Sequence, residues 1–446
     1  MKGKVWLPLL PLLLLLGCGN ESNRDYVRFY VWGDAAEVAN YEAIAAKFEE
    51  KTGIRVSVEP SAGSYYDNLN IAFSSATKAP DIFFTESGEF AGHIATGKLL
   101  NLSAYIRDGE LDVQSEANPN GSIALWGLND AYRYDGENVG QGDYYAFIKD
   151  YSPDFVLWYN KDHIDEYNQE NNLKKGDEGF MEYPSSTEAL SWDEFLDMSH
   201  KLTKGNRYGT MLDHVPYQHA MEWVQQTGAS LWTDGEKYLN AEDPNVIKAF
   251  QFFTDLQVGE KKSSPVIGPT GIGSGEAFAN GNVSFVFYGS YAYSTYHWDS
   301  LPFSYGIAPA PTPTGGSDLY QGCSGMIALA INKASPVKDK AVAFLNYYMS
   351  EGNSYLAKKG FNIPGNRLIA ESDAYRSPES SELRELNRYF LKLAETTHPL
   401  VRNRYLSQLT VEDKFGKYFS SYLSNPSSSS VANVLKNIRD DLKKEI

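Results

Sequence analysis

Apolar residues along this chain recur at two spacings. Tyr26–Val31 is a β-rich run ending in Trp-Gly-Asp. Behind it Val38, Tyr41, Ile44, Ala45 and Phe48 return at three- and four-residue intervals, the mark of a helix with one buried face, and Gly53 supplies its stop. Ile54–Val58 predicts a second strand. Leu69, Ala72, Phe73 and Ala76 predict a second helix, and Asp81–Phe84 a third strand. This alternation predicts a parallel sheet with right-handed crossovers, whose ligand site lies beyond the carboxyl ends of the strands. Trp32, Asp34 and Glu86 stand at those ends.

Between 107 and 144 the rhythm is lost in Gly, Asn and Asp, which reads as an irregular surface excursion. It returns with "FVLWYNKD", a strand. "LSWDEFLDMSHKL" opens a helix through a capping box, Ser191 with Glu194 three residues on. Val246, Phe250 and Phe253 mark another helix, with Pro244 near its start. A short helix stopped at Gly281 leads to the strand Val283–Tyr288, and "IAPAPTPTGG" is a proline-stiffened connector. "MIALAIN" is a strand. Val337, Ala341, Phe344, Leu345 and Tyr348 line the next helix, and the C-terminal part is helical apart from the Ser run 427–430. There is no internal repeat.

The apolar run Val5–Leu16 changes the picture at the N-terminus. A bilayer-spanning helix needs roughly 20 apolar residues, so this run is too short to span. Lys2 and Lys4 ahead of it give the layout of a secretory leader. Of the two cysteines, Cys323 inside "YQGCSGMIALAI" reads as a buried thiol acting as a small apolar residue. An exported chain without a disulfide must be held by its core, and 446 residues are enough for two domains.

Charge and composition narrow the function classes. With 40 Lys+Arg against 57 Asp+Glu the formal charge is −17, and loss of Lys2 and Lys4 makes it more negative still. Such a field repels phosphate backbones and anionic lipid headgroups, which disfavours nucleic acid and membrane surfaces as partners. Most of the 31 Tyr, 22 Phe and 8 Trp belong to a packed core, while the excess of Tyr over Phe suits a pocket for an amphipathic ligand. No Gly-x-Ser-x-Gly, His-Glu-x-x-His or phosphate-binding loop is present, and "GIGSGE" breaks the dinucleotide pattern at its last position. His214 and His219 are spaced off one helix face, so no metal site is expected. Two alternatives stay open. A secreted glycoside hydrolase needs only two carboxylates. A receptor for a polyamine or other cation would use aromatic walls and acidic groups.

The ordered segments "WGD…NYEAIAAKFEEKTGIRVSV", "APDIFFTES", "KDYSPDFVLWYNKD", "LSWDEFLDMSHKLT", "AFANGNVSFVFYGSY", "YGIAPAPTPTGG", "GCSGMIALAINKASPVKDKAVAFLNYYMS" and "GFNIPGNR" together resemble the bacterial extracellular solute-binding proteins of family 1, the maltose-binding-like receptors of ABC importers. Leu15-Leu16-Gly17-Cys18 resembles the lipobox at which such lipoproteins are cut and lipidated on the cysteine. The resemblance implies a two-lobe α/β fold of the periplasmic binding-protein type, with a hinge between the lobes and the ligand cleft at their interface. It divides the chain into a leader 1–17, a tether 18–25, an N-terminal lobe 26–152 plus 310–348, and a C-terminal lobe 153–309 plus 349–446. It implies a monomer without cofactor or enzymatic activity, exported and lipid-anchored at Cys18. Such a protein binds a carbohydrate, best read as an oligosaccharide, and hands it to the permease subunits. Strand crossovers fall near Ser152–Tyr159, Ala308–Pro313 and Asn346–Gly352.

A sugar site pairs flat rings, which stack on a pyranose face, with groups that hydrogen-bond its hydroxyls. Trp32, Asp34, Tyr65, Tyr66 and Glu86 occupy family contact positions, one of the two tyrosines being expected to stack and the other to pack inward. Lys149 and Asp150 match the family's "LPKD(F/Y)" segment, with Ile148 in place of its proline. "HVPYQHAMEW" offers Tyr217, with His219 secondary; Tyr291 replaces the usual Trp after Gly-Ser; Gly325 and Arg367 complete the set. Each has a structural alternative: a packed ring, a helix cap at Asp34, a self-contained Lys149–Asp150 pair, a core histidine, or an Arg367 that only bridges the lobes.

Overall fold

The computed structural model describes residues 24–33, 35–75, 78–212, 216–233, 237–266, 273–323, 326–359, 362–378, 380–400, 403 and 405–446, leaving out the side chains of Pro216, Tyr217 and Ser294. Cys18 with its leader, Asp34 and Gly325 lie outside the described residues.

Two sheets organise the chain. In the first, Ile363–Pro364, Ala146–Tyr151, Ile327–Ile331, Ile82–Thr85, Val27–Val31 and Val56–Pro60 lie side by side in that order. Val27–Val31 runs parallel to both Val56–Pro60 and Ile82–Thr85, as the strand–helix alternation predicts. Ile327–Ile331 returns antiparallel to its two neighbours, so the sheet is mixed rather than all parallel. The reason is that this strand re-enters from the other lobe instead of through a local helix. The helix Ala35–Thr52 buries Tyr41, Ile44, Ala45 and Phe48 against the sheet, and Gly53 at φ +72° closes it by donating its N–H to Glu49 O over 2.8 Å.

The second sheet has the order Tyr305–Ala308, Val156–Asn160, Val283–Tyr288, Tyr208–Thr210. Its two central strands are buried at every position, which explains why their runs are apolar apart from Ser284 and Asn160. The Ser191–Glu194 capping box forms, and Asp243 caps the helix that Pro244 begins.

Two segments carry the chain between the sheets. Ser152–Phe155 leads from Tyr151 to Val156, and the return path passes through Gln321–Cys323 to Ile327. Asp154 N–H donates to Gly322 O over 3.0 Å and ties the two together, while Thr397–Pro399 pairs in parallel with Gln321–Cys323.

The observed chain path departs from the linear reading in three places. Ile363–Pro364 pairs with Tyr151 and Asp150 at the edge of the first sheet, so this segment belongs with that sheet and not with the second lobe. The chain has passed over by Phe390, whose ring lies 6.1 Å from that of Trp158 in the second sheet. The third passage therefore lies between these points rather than at Asn346–Gly352, because the helix carrying Tyr348 continues through a wide turn into Asn353–Ala357 instead of ending. The expected tether stops short of Arg24, which pairs with the buried Asp81 at 2.8 Å. Finally, the 107–144 excursion is pinned to the first core by Leu111, Ile123 and Tyr132, all fully buried.

Candidate functional site

A cavity of about 190 Å³ opens between the lobes. On one side it is walled by Glu37, Asn40 and Tyr41 of the first helix, by Lys149 and Asp150 where their strand ends, and by Asn353, Leu356, Asn362 and Pro364. On the other side stand Tyr291, Thr295 and His297, which follow the Val283–Tyr288 strand. The site thus lies beyond strand ends, where an open α/β sheet leaves room for a ligand.

Lys149 is the buried centre of this wall, at 3% exposure. Its ammonium pairs with the Asp150 carboxylate and lies 5.0 Å from the Phe84 ring and 5.5 Å from the Tyr41 ring. Burial works against the charge, but Asp150 and the nearby Tyr348 and Glu37 outweigh it and hold the lysine above its usual range. Asn362 Nδ2 donates to Asp150 Oδ1 over 3.5 Å. Asn353 braces the strand by donating to Lys149 O over 3.1 Å, while its own oxygen accepts from Asn366 N–H over 2.9 Å. The result is a held ion pair flanked by the half-buried amides of Asn40 and Asn362, groups able to donate to and accept from ligand hydroxyls.

Beside the first strand end, aromatic rings form a packed shelf. Trp32 meets Tyr65 edge-on at 4.5 Å, Phe84 at 5.0 Å and Tyr66 at 5.9 Å. Tyr65 packs inward: its hydroxyl proton is shared between Phe84 O at 3.1 Å and Tyr30 O at 3.2 Å, and its oxygen accepts from Phe84 N–H at 2.8 Å. Tyr66 stays half-buried and donates to Glu86 Oε2 over 3.3 Å; burial, then the Glu86 charge, raises its phenol well above the usual range. Glu86 sits at the head of the helix Ser87–Ala95 without capping it.

Of the residues singled out from the sequence, the cavity wall brings together Lys149, Asp150 and Tyr291. Trp32, Tyr65, Tyr66 and Glu86 form the shelf at the neighbouring strand ends and are not among the described wall residues. His219, the secondary candidate, takes the core alternative that its sequence left open. It is buried in the second core against Phe155 at 5.3 Å, Trp223 at 5.7 Å and Phe287 at 5.8 Å, because it lies on the inward face of the helix Pro216–Gln226. Tyr217 is on the first turn of that helix, with its side chain outside the described residues. Arg367 is exposed and contributes its backbone N–H to Ala124 O over 2.7 Å; its side chain is not part of the described cavity wall.

The sequence reading missed Glu37, Asn40, Asn353, Asn362 and His297. Tyr41 was assigned to the core by its spacing, and it serves both core and wall. Glu37 and Asn40 had a signal, polar positions on the helix that begins directly after the first strand end. Asn362 sits inside the quoted "GFNIPGNR". His297 had none: it adopts a left-handed backbone, φ 55°, at the head of the turn Trp298–Ser300.

With this geometry in place, residues 32–355 match the family described as bacterial extracellular solute-binding protein. No curated protein matches the chain. Among solved structures, the ABC substrate-binding protein Lmo0181 from Listeria monocytogenes in complex with cycloalternan superposes with a TM-score of 0.73 at 18% identity, covering 94% of this chain and 98% of that one. The sugar-binding protein MalE from Xanthomonas citri gives 0.71 at 18%, covering 94% and 96%. Maltose-bound MalE3 of T. maritima gives 0.68 at 19%, covering 94% and 100%. At such identities the likeness establishes the two-lobe fold.

Proposed function

Because the chain belongs to the bacterial extracellular solute-binding protein family, we propose that it is the receptor of an ABC importer, taking up a carbohydrate between its lobes and delivering it to the permease. The observation that carries this reading is the wall built on Lys149 and Asp150. A buried, self-neutralising ion pair flanked by Asn40, Asn353 and Asn362 faces Tyr291 across the cavity. Such a wall matches an uncharged ligand rich in hydroxyls, with a ring face for stacking. The superposable proteins crystallised with cycloalternan and maltose support the same ligand class. Membership of a solute-binding family supports binding without reaction.

The leader 1–17 is read as cleaved ahead of Cys18, whose lipid ties a monomeric receptor to the outer face of the cell membrane. Cys18→Ala should move the protein from the membrane fraction to the soluble one.

Thermal shift of the protein against mono- and oligosaccharides tests the ligand, since a specific ligand raises stability by mass action. A shift with a sugar that survives high salt supports the reading. A shift with spermidine alone, abolished by salt, overturns it. Release of reducing ends would make the protein a hydrolase instead.

A further inference from the structure

A directional chain of hydrogen bonds leads from the cavity wall to the passage between the lobes. At the wall, Asn362 donates through Nδ2 to Asp150 Oδ1 over 3.5 Å and accepts at Oδ1 from Ser290 Oγ over 3.2 Å. Both partners fix the amide one way round: turned over, it would present its oxygen to a carboxylate. Ser290 belongs to the second lobe and directly precedes Tyr291 of the opposite wall. Its backbone N–H donates to Ser152 Oγ over 2.8 Å, and the two hydroxyl oxygens lie 3.1 Å apart. Ser152 is the first residue of the passage out of the first sheet, and its carbonyl accepts from Cys323 Sγ, on the returning passage, over 3.2 Å. Ser152 and Ser290 are 2% and 6% exposed.

The single hydroxyl proton of Ser290 is committed to Asn362 and that of Ser152 to Pro153 O over 3.1 Å, so the serines are joined through the Ser290 backbone N–H that Ser152 Oγ accepts. Separating the lobes must pull Ser290 from Asn362 and strand the buried Ser290 hydroxyl until water reaches it. The contact therefore favours the closed arrangement. Its first-lobe end is tied to Asp150, the group placed to receive a ligand hydroxyl, which couples occupancy to closure.

We propose that Ser290 and Asn362 form a latch between the lobes, with Asn362 the positioning residue that links an occupied cavity to the Ser152 passage. The latch rests on the receptor reading for its purpose, though not for its detection.

The test measures lobe separation by pulsed electron resonance in the full chain. Bio-orthogonal nitroxides replace exposed Glu110 in the first lobe and exposed Glu260 in the second. Distances are recorded without ligand and with maltose as probe. Wild type should populate a short separation in at least one condition. Ser290→Ala and Asn362→Ala should each lower the short-to-long ratio about tenfold, as loss of one part-buried hydrogen bond implies. The double variant should fall no further than either single one, because the same contact is lost once. Circular dichroism confirms that each variant folds. Unchanged ratios in folded single variants, or losses that add in the double variant, overturn the latch, as does a wild type that never shortens in either condition. If maltose and every other sugar leave wild type unmoved, the carbohydrate reading falls, and the ligand-free ratios still decide the latch.

Discussion

Lys149 and Asp150, adjacent in sequence at the end of one strand, form an ion pair in which the ammonium is buried under two aromatic rings while the carboxylate reaches the cavity. Strand neighbours ordinarily point to opposite faces. Here the bulge next to Ile327, the residue paired with Asp150, and the end of the sheet let both side chains serve one wall.

Removing one member of this pair should harm both stability and binding. Lys149→Met leaves the Asp150 carboxylate unbalanced and is expected to cost about 3 kcal/mol, with at least a tenfold weaker sugar affinity. Lys149→Met combined with Asp150→Leu should recover much of the stability and none of the affinity. Denaturant unfolding and calorimetric titration of both variants separate the two effects.

Tyr65 and Tyr291 should divide stability from binding. Tyr65→Phe leaves the buried Phe84 N–H without its acceptor and should destabilise by about 1–3 kcal/mol. Tyr291→Ala opens the cavity wall and should weaken ligand binding about tenfold while moving the melting temperature little. Equal loss of affinity in both variants would contradict this assignment.

Glu222 should make stability depend on pH. Its carboxyl is buried on the second-lobe helix, with Oε2 so close to Gly322 that a Cβ there would lie 1.7 Å away, and Gln226 Nε2 donates to Oε1 over 3.2 Å. Burial pushes the acid from 4.5 up to about 8. The folded state therefore holds a proton that the unfolded chain releases, and this group's contribution declines as pH rises from about 4.5 to 8. Glu222→Gln should raise the melting temperature relative to wild type at pH 8 and leave it nearly unchanged at pH 4.5.

His219 and Arg367 should test the boundary of the site. His219→Ala removes a ring from the second core and is expected to cost about 2–4 kcal/mol, with ligand affinity in the folded fraction kept. Arg367→Ala, at an exposed helix start, should leave both stability and affinity within twofold. A tenfold affinity loss in either variant would return that residue to the site.

Much of the fold was legible because burial leaves a period in the sequence. The stripe Tyr41, Ile44, Ala45, Phe48 and the alternating strand Val27–Val31 are buried as their spacing requires. Cys323 is the buried thiol its apolar surroundings implied. The site was legible only in part. Lys149, Asp150 and Tyr291, singled out because they stand in long ordered segments, line the cavity. Asn362 stood in an ordered segment and was passed over, and Asn353 gave no comparable signal, since an amide on a cavity wall looks like any loop or helix asparagine until the chain brings Asp150 beside it.

Local spacing was enough to determine the strand–helix alternation, and the ordered segments carried the resemblance to the family. The alternation depends on which residues leave water, and that preference is written into neighbouring positions. Tertiary structure alone decided that Ile363–Pro364 returns to the first sheet, that His219 turns inward, and that Asn362 meets Ser290 from the other lobe. Each is a contact between distant segments, and nothing in the local pattern of either segment specifies where the other will fall.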